Sequence, residues 1–267
     1  MVKITEEDRE LFGKKVEAYK EIITGILQKE KDALALMEGE PDGVGYKKIA
    51  LCEDMIRLST LYNAINGFSL GMLGRNDPEA LNESRKALYR AVIYLEETVS
   101  NYIDCPYSDY EDRVAQISGV AIAQRYLLVR KLGLAIRLLI DAYGDNTKWK
   151  WAFVELNGRF AAVAKNLADL KAATKTYFDP NEKDYETTVN YIRLIKTLIS
   201  QSADKYRDRY EMSTRRIDDI RLGINYLLAL RRLYILTGDS EEAEEIKKKA
   251  QIWNTRMEAD KKKGEST

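Results

Sequence analysis

The chain has 267 residues, 45% apolar and 32% charged, with Lys plus Arg equal to Asp plus Glu at 43 each, a mix that belongs to a folded chain with ample core. Zero net charge argues against general nucleic-acid binding or a membrane-surface role, both of which draw on a basic excess. Histidine is absent from the sequence, which excludes Ser-His-Asp and Cys-His nucleophiles, histidine metal sites and Glu-x-x-His di-iron bundles.

Apolar residues recur at helical spacing and no segment alternates with period two, so the expected fold is all-α: about eight long helices in antiparallel hairpins, as an irregular helical bundle. The first helix is read from Glu6 to Glu38, with Thr5 and Asp8 as a capping box and Val16, Tyr19, Ile23, Ile26, Leu27, Leu34 and Met37 as its core stripe. Gly39-Glu40-Pro41-Asp42-Gly43 ends it. The second runs from Gly45 to Leu73, and Asp77-Pro78 caps and opens the third, which extends to Ile103. Ser108 and Glu111 suggest a capping box for a fourth helix reaching Tyr143. Gly144-Asp145-Asn146 turns the chain into a fifth, Thr147 to Leu170, and Asp179-Pro180 opens a sixth. The sixth and seventh meet near Ser213-Thr214, with no glycine or proline to separate them. Thr237-Gly238-Asp239-Ser240 precedes the last helix, which fades into a frayed tail at Lys261-Lys262-Lys263-Gly264. Short turns between second and third, fourth and fifth, and seventh and eighth imply three hairpins. The whole is read as a single domain, 1–267, with 171–183 the place where a subdomain boundary would fall.

The longest apolar stretch, Gly119 to Ile140, carries Arg125, Arg130, Lys131 and Arg137. At about 2.5–3.5 kcal/mol each near a bilayer centre, these rule out a membrane span. Cys52 and Cys105 have no metal-ligand spacing and read as small reduced buried thiols, with a disulfide as the alternative. The first residues, Met1 to Glu7, lack the apolar core of a signal peptide, so a cytoplasmic location is expected, although a chain trimmed of an exported leader would look the same.

Leu230, Tyr234, Gly238, Ala243 and Ala250, with the turn Gly238-Asp239-Ser240-Glu241-Glu242-Ala243, occupy small and large packing positions of a helical hairpin. On these residues 220–255 resembles a single tetratricopeptide unit. Arg231, Lys247 and Thr255 depart from it, standing where a glycine, an aromatic and a proline are expected. The resemblance implies a protein-binding scaffold, or a short tetratricopeptide-like array, although a period of 34 is absent from the chain.

The chemistry left without histidine is narrow. Asp204, Asp208 and Glu211 have helical spacing suited to a magnesium ion, but Lys205, Arg207 and Arg209 interleave with them in the pattern of a solvated, salt-bridged face. No phosphate loop is present, and no cofactor is indicated. The fourth helix has no acid between Asp112 and Asp141, while Arg113, Arg125, Arg130, Lys131 and Arg137 are basic. Its surroundings are apolar nearly all round, so it is expected to be central, and its arginines then need a carboxylate or an anion. Asp54, Glu96 and Asp218 are the candidate internal partners. A ligand pocket at Arg130 and Arg137, with Arg231 and Arg232 of the seventh helix as further candidates, is the functional reading. The 17 tyrosines with Trp149, Trp151 and Trp253 offer recognition surface or core filling; of Trp149 and Trp151, one is expected in the core and one semi-exposed. The composite expectation is a non-enzymatic helical interaction or scaffold protein with a protein partner or a homo-oligomeric form. Its alternatives are anion or nucleotide-type binding through the arginines and a magnesium-dependent phosphohydrolase.

Overall fold

The computed structural model describes residues 4–40 and 42–265, and among them there is no strand. The helices are α1 (Glu6–Gly39), α2 (Val44–Leu73), α3 (Pro78–Thr98), α4 (Glu111–Gln116), α5 (Ile122–Tyr143), α6 (Lys150–Leu167), α7 (Leu170–Tyr177), α8 (Tyr185–Arg209), α9 (Ile217–Leu236) and α10 (Ser240–Glu265). A 3₁₀ turn at Tyr107–Asp109 and a π turn at Tyr210–Thr214 complete the order. The all-α expectation is met. Two compact units divide the chain: residues 1–98 with 128–147, and residues 99–127 with 148–267. The stretch 171–183 falls inside the second.

In the first unit α2 packs against both α1 and α3. The Thr5–Asp8 capping box forms in both directions. Pro41 lies outside the described residues, as do Met1, Val2 and Lys3; α1 ends at Gly39, and Gly43 enters α2 at φ 67°. The α2–α3 turn follows the sequence reading closely. Gly74 takes φ 63°, and the Asp77 carboxylate accepts from the Glu79 and Ala80 amides at 3.1 and 3.0 Å. The Asn66 side chain accepts from the Asp77 amide at 2.7 Å. Glu30, the buried acid of α1, receives the Arg90 guanidinium and the Tyr94 hydroxyl of α3, which gives the buried charge the partners it requires.

In the second unit α8 packs against α6, α7 and α9, and α9 against α10. Several expected boundaries move. α3 stops at Thr98 rather than Ile103 because the next carbonyls are taken by α6 side chains: the Asn166 amide donates to Ser100 and Tyr102, and Lys165 donates to Ile103. The expected fourth helix is broken into the 3₁₀ turn, α4 and α5. Its break at 117–121 coincides with the Ile117 and Val120 carbonyls accepting from Arg125. Ser108 makes no capping box, since its hydroxyl turns to Asp109 and Glu111 pairs with Lys171. Asp179 closes a local turn on the Asn181 amide at 3.0 Å, so α8 opens later, at Tyr185. The π turn and Arg215, at φ 53°, separate α8 from α9. α10 continues as helix to Glu265 instead of fading at Lys261. The Gly144 turn falls at a unit boundary, so the hairpin expected there does not lie within one unit.

Candidate functional site

The arginine that α5 buries is Arg125, not Arg130 or Arg137. Arg125 is 4% exposed and donates from Nε to Val120 at 2.8 Å, and from its terminal nitrogens to Leu167 at 2.9 Å and Ile117 at 2.7 Å. Three carbonyls thus satisfy a guanidinium fork. Arg130 and Arg137 are exposed, because α5 is not apolar all round in its environment: Leu127, Leu134 and Leu138 share the open face with them. Arg137 lies 3.8 Å from Asp141 with its side chain 81% exposed. In the second unit, Arg231 lies 4.0 Å from Glu244 and Arg232 pairs with Asp104. Arg231 and Arg232 meet different acids. Of the proposed internal partners, Asp54 pairs with Lys29 and Asp218 with Arg221.

A second buried cation lies next to the segment that follows α3. Lys165, 5% exposed, donates to the Ile103 carbonyl at 3.0 Å and the Asn166 side-chain oxygen at 3.1 Å, and its ammonium sits 5.3 Å from the Tyr110 ring centroid. Burial pulls its pKa down to about 8 from 10.5, because the desolvation of the ammonium outweighs the attraction of Cys105 and Asp104. Burial also raises the Tyr110 hydroxyl, which has no hydrogen-bond partner. Beside it the Tyr107 hydroxyl donates to Asp169 at 2.9 Å, and the same carboxylate oxygen caps α7 through the Ala172 amide. Tyr107, Asp169, Lys171 and Lys175 line an open cleft of about 380 Å³. Cys105 is half-buried, its thiol donating to Tyr102, while Cys52 is fully buried; both are free thiols.

The acids proposed for magnesium are each met by a cation. Asp204 lies 2.8 Å from Lys249, Asp208 3.2 Å from Arg207, and Glu211 2.7 Å from Arg256. Among the described residues no group of three Cys, Asp or Glu is placed to hold a metal ion. Lys249 and Arg207 also flank the Trp253 ring, at 5.1 and 5.3 Å, so this face is a cross-linked contact between α8 and α10.

The π turn at the end of α8 borders a cleft of about 400 Å³ lined by Tyr210, Arg215, Ile217, Asp260 and Lys261. Tyr210 is buried and donates to Asp260 at 2.6 Å; burial, followed by that bond, raises its pKa. Arg256 stands 3.9 Å from the same carboxylate. Arg209 and the Thr214 hydroxyl converge on the buried Asp219, which locks the start of α9. Arg215 closes the turn in the left-handed region, its amide donating to the Tyr210 carbonyl at 3.1 Å. A non-glycine residue there stores about 1–3 kcal/mol.

A family model, the TP0443 family, matches residues 8–261. The chain belongs to this family. No curated protein and no solved structure matches it. The matched span includes every side chain named in both clefts and the exposed face of α5. Sequence reasoning missed the π-turn cleft because Ser213-Thr214-Arg215-Arg216 contains neither glycine nor proline. The only local signal was the break in helical pattern near Ser213-Thr214. Trp149 and Trp151 are both half-buried, so neither is the core residue the spacing suggested.

Proposed function

We propose that this is a non-enzymatic helical interaction protein whose α5 face receives an acidic, partly apolar segment of a protein partner. One observation carries the reading. Leu134 and Leu138, 59% and 47% exposed, lie among exposed Arg130, Lys131 and Arg137 on one side of a helix. Exposed apolar side chains rimmed by cations form the kind of surface patch that marks a protein-interaction site. The ion pairs already present, Lys131 with Glu53 at 3.1 Å and Arg137 with Asp141 at 3.8 Å, are solvent-exposed. Such pairs contribute little, so exchanging them for a partner's acids costs little. The resemblance of 220–255 to a tetratricopeptide hairpin supports the same class: Ala243 and Ala250 are buried in α10, which packs on α9, and Gly238 takes φ 80° at the turn. Two free thiols fit a reducing, cytoplasmic setting. None of the described helices is long and apolar enough to cross a membrane.

The test is capture from native lysate by the intact chain and by a Leu134→Asp/Leu138→Asp variant, with light scattering of both. Because both leucines are exposed, the variant retains its melting temperature. Capture, or self-association, weakens by roughly thirtyfold if about 2 kcal/mol of interface centre is lost, and weakens further as salt is raised. An intact chain that is monomeric and captures nothing overturns the proposal, as does a variant that captures the same partner equally well.

A further inference from the structure

We propose that the cleft at the π turn binds a phosphate-type oxyanion, free or carried on a small organic group, between Arg215 and Lys261. Three observations converge. First, neither cation has a carboxylate partner among the described residues, while the arginines on α8 and α10 beside them do: Arg209 meets Asp219, Arg207 meets Asp208, and Arg256 meets Glu211. Second, the acid in the lining is already committed. Asp260 accepts from the Tyr210 hydroxyl at 2.6 Å and faces Arg256 at 3.9 Å, so part of its negative charge is offset before an anion arrives. Third, Arg215 occupies a backbone conformation, φ 53°, where glycine would relieve strain. A long cationic side chain at such a position points to a use for the guanidinium itself.

The chemistry follows from the two cation types. A guanidinium offers a planar fork of N–H donors that matches two oxygens of a tetrahedral anion, and an ammonium supplies a compact second charge. At about 400 Å³ the cleft exceeds the size of a bare oxyanion and falls among small-ligand sites. Tyr210 and Ile217 provide a wall for an attached organic group. The site lies in the second unit and shares no residue with the α5 face.

The experiment titrates the intact protein with inorganic phosphate and with phenyl phosphate by calorimetry at low salt. Saturable binding is expected, with phenyl phosphate tighter if the anion is carried on an organic group and equal if free phosphate is the ligand. Arg215→Gly should weaken binding by about tenfold or more, the loss of a charge-assisted hydrogen bond, while raising the melting temperature through relief of the left-handed residue. That opposite movement separates loss of the ligand from loss of fold. Lys261→Gln should weaken binding without changing the melt, and Lys20→Gln, at an exposed lysine of α1, should leave binding unchanged. The proposal is overturned if the intact protein shows no saturable binding of either probe up to about 10 mM, or if Arg215→Gly binds as tightly as the parent.

Discussion

Two buried cations in the second unit donate to neutral oxygens, and those acceptors set how each responds to change. Arg125 draws together carbonyls from 117, 120 and 167. Arg125→Met keeps the volume and apolar stem but leaves all three acceptors without their donor. At about 1–3 kcal/mol for each buried group left unsatisfied, with partial relaxation, a loss of about 3–5 kcal/mol is expected. Urea denaturation measures it, and a midpoint shift worth less than about 1 kcal/mol would show that water replaces the guanidinium without cost. Lys165 makes a different prediction because its pKa falls, to about 8 from 10.5. Between those values the unfolded chain holds a proton that the folded chain has released, so this residue's contribution to stability rises with pH across the window. It is fully present only above the unfolded value and is lost as pH falls through about 8. Tyrosines raised by burial, such as Tyr191 and Tyr206, act in the opposite sense above their ordinary value of 10, and the comparison must cancel them. The parent chain should therefore gain about 1–2 kcal/mol relative to Lys165→Met between pH 8 and about pH 9.5. Parallel stability curves for the two proteins over that range would show that the ammonium is not desolvated.

At the scale of helices and turns, what was legible in the sequence is what the backbone decides locally. Gly74, Gly144 and Gly238 all take positive φ, and Asp77 with Pro78 opens α3 as its spacing implies. The break at 99–106 was not legible because the groups that compete for its carbonyls come from residues 62 to 66 positions away, and the break at 117–121 because helical spacing does not show that the Arg125 side chain turns back onto carbonyls five and eight residues before it. No local window contains Asn166 or Lys165 when residue 100 is being read. The candidate site divides in the same way. The basic, acid-free run of the fourth helix is visible as composition, yet periodicity alone cannot say which stripe faces water, and Leu134 and Leu138 proved to be on the open side. Close approach is equally hidden. Gly158 in α6 sits where a Cβ would lie 2.6 Å from the Tyr206 ring and 2.9 Å from the Tyr226 hydroxyl, beneath a stacked pair with centroids 5.5 Å apart. Gly158→Ala would gain about 1 kcal/mol of helix propensity, but it must displace two buried rings at about 1–3 kcal/mol. A net destabilisation of about 1–2 kcal/mol is expected, together with an altered tyrosine near-ultraviolet dichroism. A variant more stable than the parent would mean that the rings yield freely.

At the scale of the molecule, the chain does not build its two units in succession. Residues 99–127 belong with 148–267, and residues 128–147 with 1–98, so α5 gives its first residues to one unit and the remainder to the other. A single run of helical periodicity conceals that exchange, because hydrophobic spacing records that a face is buried and not what buries it. The physical consequence concerns the second unit. A fragment 148–267 contains α6 to α10, but it lacks the acceptors at Ser100, Tyr102 and Ile103 that Asn166 and Lys165 require. It also loses Arg125 from the Leu167 carbonyl, and the Tyr126 ring that stands 5.6 Å from Tyr191. Two buried polar side chains without partners, one of them cationic, cost on the order of 3–6 kcal/mol, a large fraction of a domain's net stability. The isolated fragment should therefore retain helical far-ultraviolet dichroism but melt broadly, at a temperature roughly 10–20 °C below the intact chain. Adding a synthetic peptide of residues 99–127 in trans should sharpen the transition and raise it, since binding to the folded form alone stabilises by mass action. A sharp melt of the fragment at the parent temperature, unmoved by the peptide, would show that 148–267 carries a complete core and that residues 99–127 only decorate it.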